Sequence, residues 1–180
     1  AIIQYLFHAY GMEEGEIPCE LETSARDEMR HLDWLADTIV ELGGDPTMER
    51  DAPDLSPGAP PELLRRDVDL EQMAIDQYRA HIEAIPDAKI RRLLSRILQD
   101  ELRHKEEFAA LAQEAEQELE AAEESEAAGE AAQAKPSARL AEILNQGIRH
   151  EYTVILQYLF HSFVAEGKEM AEEMQNVSIN

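Results

Sequence analysis

Two phrases of the form Glu-x-x-His, Glu28 to His31 and Glu101 to His104, carry side chains that can bind a metal ion. Residues three apart on a helix lie on the same face, about one turn apart. Both phrases fall within the apolar stripes of their helices, where an unpaired charge costs roughly several kcal/mol. A bound metal is the economical way to neutralise these groups, and a buried Glu–His polar network without metal is the alternative.

Helical periodicity places two further carboxylates in apolar stripes. The stripes of the two Glu-x-x-His helices are Ala25, Glu28, His31/Leu32, Leu35, Ile39 and Leu42, and Ile90, Leu94, Ile97, Glu101, His104, Phe108 and Leu111. The stripes with a lone carboxylate are Leu64, Val68, Glu71, Ile75, Tyr78, Ile82 and Ile85, and Leu144, Ile148, Glu151, Ile155 and Tyr158. One Glu from each of two helices and one Glu-x-x-His from each of two others resemble the ligand set of di-iron and di-manganese carboxylate bundles.

The composition favours an all-α protein. At 180 residues the chain can form one good core, or one domain with part of another, and aromatic residues are only 6%. The formal net charge of -23 argues against a nucleic-acid partner. Cys19 is the only cysteine, which predicts no disulfide framework and a reducing, cytoplasmic location. No apolar run reaches membrane-spanning length and no signal peptide is visible, so we expect no membrane partner.

Turn and cap signals predict the first two helices. Residues 1–13 read as the second half of an amphipathic helix that ends among Gly11, Gly15 and Pro18. Ser24, or Thr23 before it, is expected to cap the next helix, with Asp27 as the capping-box partner. That second helix is expected to end at residues 43–46, where two glycines precede a proline.

A long connection and two more helices follow. Residues 44–61 hold five of the eight prolines, and we predict a long crossover that lets the second and third helices run parallel. The third helix is expected over 62–85 and the fourth over 88–118. Residues 119–137 are mostly Ala and Glu and are expected to form a solvated helix or a flexible acidic linker. Ser137 can cap a fresh helix.

The last helix repeats the first. Residues 1–8 align with residues 154–161, which share the string Gln-Tyr-Leu-Phe-His. The chain is thus expected to contain a four-helix bundle over 1–118 with a truncated first helix, the linker, and over 138–180 a repeated first helix with the start of a second. It can be a piece of a tandem array, a permuted order of helices, or a swapped chain whose Glu151 serves a neighbour.

These residues resemble the ferritin-like superfamily, closest to bacterioferritin and the erythrin domain of rubrerythrin. The string from His150-Glu151 to His161 resembles the bacterioferritin first helix, and Asp27 to His31 resembles the second-helix motif. Leu70-Glu71 resembles the third helix, and Ile97 to Glu101 with His104 the fourth. The resemblance covers about residues 1–111 and 138–180, and it implies a ferritin-like four-helix bundle.

The resemblance also implies a metal site. Glu28 and Glu101 would bridge two iron ions, for which manganese or zinc can substitute, and the terminal ligands would be Glu151, His31, Glu71 and His104. Tyr158 and Tyr78 each follow a ligand Glu by seven residues, and they are either electron sources near the metals or ordinary core tyrosines. Met29 matches a position that binds haem between subunits, with core packing as the alternative.

The implied function is oxidation of Fe(II) by O2 or peroxide, as a ferroxidase or peroxidase, in a homo-oligomer of at least two chains. Hard carboxylate oxygens and imidazoles suit iron or manganese, and two metals can deliver two electrons to one oxidant. A carrier or storage protein that binds iron without fast turnover is the first alternative. A structural helical repeat without metal is the second.

Overall fold

The computed structural model shows an all-α protein. It describes the backbone of residues 1–126 and 138–164, with the side chains of 1–121, 142, 144–157 and 160–163. In these residues there are five helices: α1 Ile2–Tyr10, α2 Glu16–Glu41, α3 Pro60–Ala84, α4 Ala88–Glu126 and α5 Ala138–Val164. The chain divides into two compact units. The first contains Ala1–Trp34 and the chain from Asp51 through α4, and the second contains Leu35–Arg50 and α5.

The start of α2 differs from the prediction. Helix α1 ends before Gly11, as expected, but α2 begins at Glu16 rather than after Ser24. Pro18 lies in the first turn of α2, where a proline costs no backbone hydrogen bond. Ser24 is buried inside this helix and does not cap it. The capping signal was misleading because proline tolerates the first turn of a helix and need not end one.

Helices α3 and α4 form a hairpin with well-defined starts. Pro60 and Pro61 occupy the first turn of α3, where their missing N–H groups cost nothing. Asp87 caps α4, because its Oδ1 accepts hydrogen bonds from the backbone N–H groups of Lys89 and Ile90 at 2.7 and 3.0 Å. Helix α4 continues to Glu126, so the first part of the acidic Ala/Glu segment is helical. Residues 127–137 lie outside the described chain.

Side-chain pairs give the directions of the helices. Arg65 pairs with Glu116, and Lys105 bonds Gln72, so α3 and α4 run antiparallel. On the other side, Asp27 and His31 of α2 contact α4 in reverse order, at His104 and Asp100 respectively. Because α2 and α3 are both antiparallel to α4, they run parallel to each other. The predicted crossover is therefore confirmed, and residues 42–59 form it.

The core of the first unit follows the predicted stripes of α3 and α4. Its buried cluster is Tyr5, Ala9, Leu21, Ala25, Leu64, Phe108, Leu111, Ala112 and Ala115. The α2 stripe is buried as far as His31, but Ile39 is 37% exposed and Leu42 is 70% exposed. Periodicity thus predicted the buried face where the bundle packs and overextended it at the carboxyl end of α2.

Helix α5 belongs to the second unit. Its described part runs from Ala138 to Val164, and the predicted cap Ser137 lies outside the described residues. Leu144 and Ile148, which the stripe placed in a core, are 60% and 42% exposed in this chain. Among the described residues, no helix is long and apolar enough to cross a membrane.

Candidate metal centre

Helices α2, α3 and α4 bring together five of the predicted ligand residues. Glu28 and His31 come from α2, Glu71 from α3, and Glu101 and His104 from α4. Of these, Glu28, Glu71, Glu101 and His104 each offer one ligand atom within 4.8 Å of the other three. Glu71, Glu101 and His104 are at most 1% exposed. The four-residue group is a buried cluster that could hold a metal ion.

Both imidazoles turn the same nitrogen toward the carboxylates. His104 Nδ1 lies 3.5 Å from Glu71 Oε1, 3.5 Å from Glu101 Oε2 and 3.7 Å from Glu28 Oε1. His31 Nδ1 lies 3.3 Å from Glu101 Oε1 and 3.6 Å from Glu28 Oε1. Neighbouring ligands around one ion with bonds of about 2.1 Å are separated by about 3 to 4 Å. The spacing therefore fits ligands around a metal.

Several of these atoms make only long contacts within the cluster. Among the described residues, His31 Nδ1, His104 Nδ1, Glu28 Oε1 and Glu101 Oε2 are buried and lack a hydrogen-bond partner of good geometry. Such orphaned atoms cost about 1–3 kcal/mol each when nothing satisfies them. Because these four atoms converge on one point and are all of metal-ligating types, the residues present fit a bound metal.

An aspartate from the opposite helix lies behind each imidazole. Asp27 on α2 accepts a hydrogen bond from His104 Nε2 of α4 at 3.2 Å, and Asp100 on α4 accepts one from His31 Nε2 of α2 at 3.2 Å. With the Nε2 proton engaged, Nδ1 is the nitrogen left to bind metal. Each aspartate directly precedes a predicted ligand, Glu28 or Glu101, in the sequence. The crossed pairs therefore come from the antiparallel packing of two copies of Asp-Glu-x-Arg-His.

Helix α1 contributes a phenol. The Tyr5 hydroxyl donates a short hydrogen bond to Glu71 Oε1, and the Tyr5 side chain is fully buried. Burial raises the pKa of Tyr5 well above its usual value, and the charges of Glu71 and Glu28 raise it further. Tyr5 is therefore a proton-bearing donor to Glu71 across the ordinary pH range.

The buried charges hold one another in unusual protonation states. Burial raises the pKa of Glu101, but the imidazoles of His104 and His31 outweigh it and lower that pKa to about 2. Burial raises the pKa of Glu71 to about 7, although the His104 imidazole opposes the shift. Burial lowers the pKa of both histidines, but the neighbouring carboxylates outweigh burial. They raise the pKa of His31 to about 10 and that of His104 to about 9. Without metal, protons on the imidazoles neutralise the cluster.

Four predicted site residues are not among these five. Glu151 is exposed on α5, in the second unit, and the side chain of Tyr158 lies outside the described residues. Tyr78 is half-buried on α3, and its pKa is raised by burial and by the charges of Glu101, Glu28 and Glu71. Met29 is half-buried on α2. The roles suggested for these four residues remain predictions.

Sequence reasoning missed three residues of this centre. Asp27 was expected to be the capping-box partner of Ser24, but it lies behind His104 instead. Asp100 was given no role, although the parallel with Asp27 in the repeated Asp-Glu-x-Arg-His string could have revealed both aspartates. Tyr5 aligns with Tyr158 in the repeat, so the same reasoning that singled out Tyr158 could have found it.

Comparison with protein families matches residues 1–118 to the ferritin-like domain. The chain belongs to the ferritin-like family. This ferritin-like chain is also 32% identical over 110 residues to a bacterioferritin of Desulfovibrio desulfuricans, and it is a distant homologue of that protein. The match covers 58% of this chain and 62% of the relative, so the chain spans less than two thirds of the bacterioferritin that it matches. No solved structure matches the chain.

Proposed function

We propose that this ferritin-like chain binds two iron ions and oxidises Fe(II) with O2 or peroxide. The observation that carries the proposal is the pair of crossed Asp–His contacts, which aim two imidazole nitrogens at the carboxylates of Glu28, Glu71 and Glu101. Carboxylate oxygen and imidazole ligands suit iron and manganese. When bound, two Fe(II) ions would each supply one electron, and one peroxide would accept both with two protons to give two waters.

The proposed ligands divide between the two ions. His104 with Glu71, and His31 on the other side, would each hold one ion, and Glu28 and Glu101 would be shared. Both shared carboxylates face both imidazoles at 3.3 to 3.7 Å, which supports this division. We keep Glu151 as a proposed further ligand, acting either in its own chain or in a neighbouring copy.

The residues of the chain would manage the charge and the protons of binding. Glu101 is ionised at any ordinary pH because of its low pKa, so it offers a ready carboxylate. His31 and His104 must give up protons before Nδ1 can bind, so metal binding should release protons. Asp27 and Asp100 would keep the second proton of each ring on Nε2, which fixes the ring orientation.

The test is an anaerobic Fe(II) titration of the metal-free protein, followed by addition of O2 or peroxide. We expect saturation near two irons per chain and rapid appearance of ferric absorbance. Glu101→Gln keeps the shape of the side chain and should abolish both the stoichiometric iron binding and the oxidation. Glu106→Gln, at an exposed position of the same helix, should change neither binding nor oxidation. Saturation without oxidation would support an iron carrier instead, and no stoichiometric binding by the wild type would refute both functions.

A further inference from the structure

One surface guanidinium contacts both aspartates that lie behind the imidazoles. Arg103 Nη2 is 2.8 Å from Asp27 Oδ2 and 3.4 Å from Asp100 Oδ1. Asp27 Oδ2 also accepts a hydrogen bond from His104 Nε2, so it is shared by two donors, which lie 3.4 Å apart. Arg103 Nη1 in turn contacts Glu107 Oε2 at 3.4 Å. Because a guanidinium presents its donors in a rigid plane, one arginine can fix the relative positions of two carboxylates.

The two aspartates are not held equally. Asp27 is 5% exposed and also pairs with Arg30, so two guanidinium groups converge on it. Asp100 is 31% exposed and meets Arg103 at the longer distance of 3.4 Å. Shorter charge-assisted hydrogen bonds are the stronger ones, and solvent weakens the exposed contact further. Asp27, and with it His104, is therefore the more firmly positioned of the two Asp–His pairs.

The ligand atoms show the same inequality. The compact group within 4.8 Å consists of His104 with Glu28, Glu71 and Glu101. His31 is not part of that group, although its Nδ1 is 3.3 Å from Glu101 Oε1. The half of the centre around His104 is thus the more compact of the two.

We propose that Arg103 is a positioning residue for the metal centre: it clamps Asp27, and less firmly Asp100, so that a divalent cation fills the His104 half first and the His31 half second. This inference rests on the proposed metal site. Preorganisation lowers the cost of binding at the half that is more compact and that Arg103 holds more firmly. Removing the clamp should therefore weaken the first binding step more than the second.

The test is a titration of the metal-free full chain with Co(II) alone, under nitrogen, monitored by calorimetry and by visible absorbance. We expect two steps in the wild type. Arg103→Gln should weaken the first step about tenfold, the lower end of the loss that follows removal of a partner of a metal ligand. Arg103→Lys keeps a charge beside Asp27 and should retain most of the first-step affinity. Arg65→Gln removes an exposed ion pair between α3 and α4 and is the matched control, with no expected effect.

A second measurement tests, without any metal, whether Arg103 positions the Asp27–His104 pair. In protein with 15N-labelled histidine, the Nε2–H proton of His104 should exchange with solvent faster in Arg103→Gln than in the wild type or Arg65→Gln. Equal exchange in all three proteins, or equal weakening of both cobalt steps, would refute the role of Arg103. If the wild type binds no Co(II), the proposed function and the loading order both fail, while the exchange rates still decide whether Arg103 positions His104.

Discussion

The hydroxyl of Tyr5 donates its hydrogen bond to the carboxylate of Glu71, and this contact joins α1 to the candidate metal centre. The Tyr5 ring also packs edge-on against Phe108, with the ring centroids 5.1 Å apart. One turn along, His8 Nδ1 lies 2.7 Å from Asp67 Oδ2 on the same pair of helices. The two hydrogen-bonded contacts hold α3 to α1, and the ring contact with Phe108 holds α1 to α4, which carries Glu101 and His104.

Tyr5→Phe should weaken metal binding below neutral pH. The Tyr5 hydroxyl favours the ionised form of Glu71, whose pKa burial otherwise raises, so its loss raises that pKa above about 7. Protons then compete more strongly, and we expect affinity for Co(II) to fall several-fold at pH 6 and to recover above about pH 8. The lost hydrogen bond should also cost about 1 kcal/mol of stability. Tyr10→Phe, at a 63% exposed position of α1, is the control, and identical pH profiles would contradict the prediction.

The metal-free protein should lose stability as the pH rises from about 6.5 to 10. The pKa values of His31 and His104 are raised by folding, so their stabilising contribution is complete below the unfolded value of about 6.5. It disappears as the pH passes through about 9 and 10. Glu71 also lowers the stability as the pH rises, between its unfolded pKa and about 7. Glu101 does the opposite: its stabilising contribution is present above its unfolded pKa and is lost as the pH falls toward 2.

Urea denaturation in chelator at several pH values measures this dependence. Bound Zn(II) should reverse the trend, because it takes the place of the protons on the imidazoles and gains affinity as they leave. His81→Gln changes an exposed histidine of α3 and should leave the slope as it is in the wild type. A metal-free protein whose stability stays flat or rises between pH 6.5 and 9 would show that the histidines are not held in the charged form.

Phe108→Ala should destabilise the protein by about 3–5 kcal/mol. Its ring is fully buried between Tyr5 and His104, with centroids 5.1 and 6.3 Å away, so the substitution leaves a cavity beside the centre. Phe7→Ala on α1, where the ring is 42% exposed, should cost far less. Thermal or urea unfolding of both variants makes the comparison, and similar losses would mean that Phe108 does not pack as the structure shows.

The fluorescence of Trp34 should report the second metal-binding step. It is the only tryptophan, and its ring lies 5.8 Å from that of His31, between centroids. Arg96 covers the ring with its guanidinium carbon 4.0 Å from the centroid, which keeps the indole in place. We expect Co(II) to quench the emission as the second equivalent binds and Zn(II) to quench it much less. Quenching complete at the first equivalent would contradict the proposed loading order.

Local sequence was sufficient to predict the buried faces of α3 and α4. The period of apolar residues placed Glu71, Glu101 and His104 among Leu64, Ile97 and their neighbours, and all are buried in the structure. That success has a simple cause, since a helix turns every side chain through a fixed angle and needs no tertiary information to define its face. The same reasoning failed for Ile39 and Leu144, which are exposed. An apolar stripe is buried only over the length that other elements cover.

The sequence by itself thus determined the all-α class, the crossover and the candidate ligands Glu28, His31, Glu71, Glu101 and His104. Only the tertiary structure decided that Asp27 supports His104, that Asp100 supports His31, and that Tyr5 bonds Glu71. The physical reason is that these contacts join residues more than sixty positions apart. Their pairing depends on how the helices pack in register, which the repeat of a single helix cannot specify.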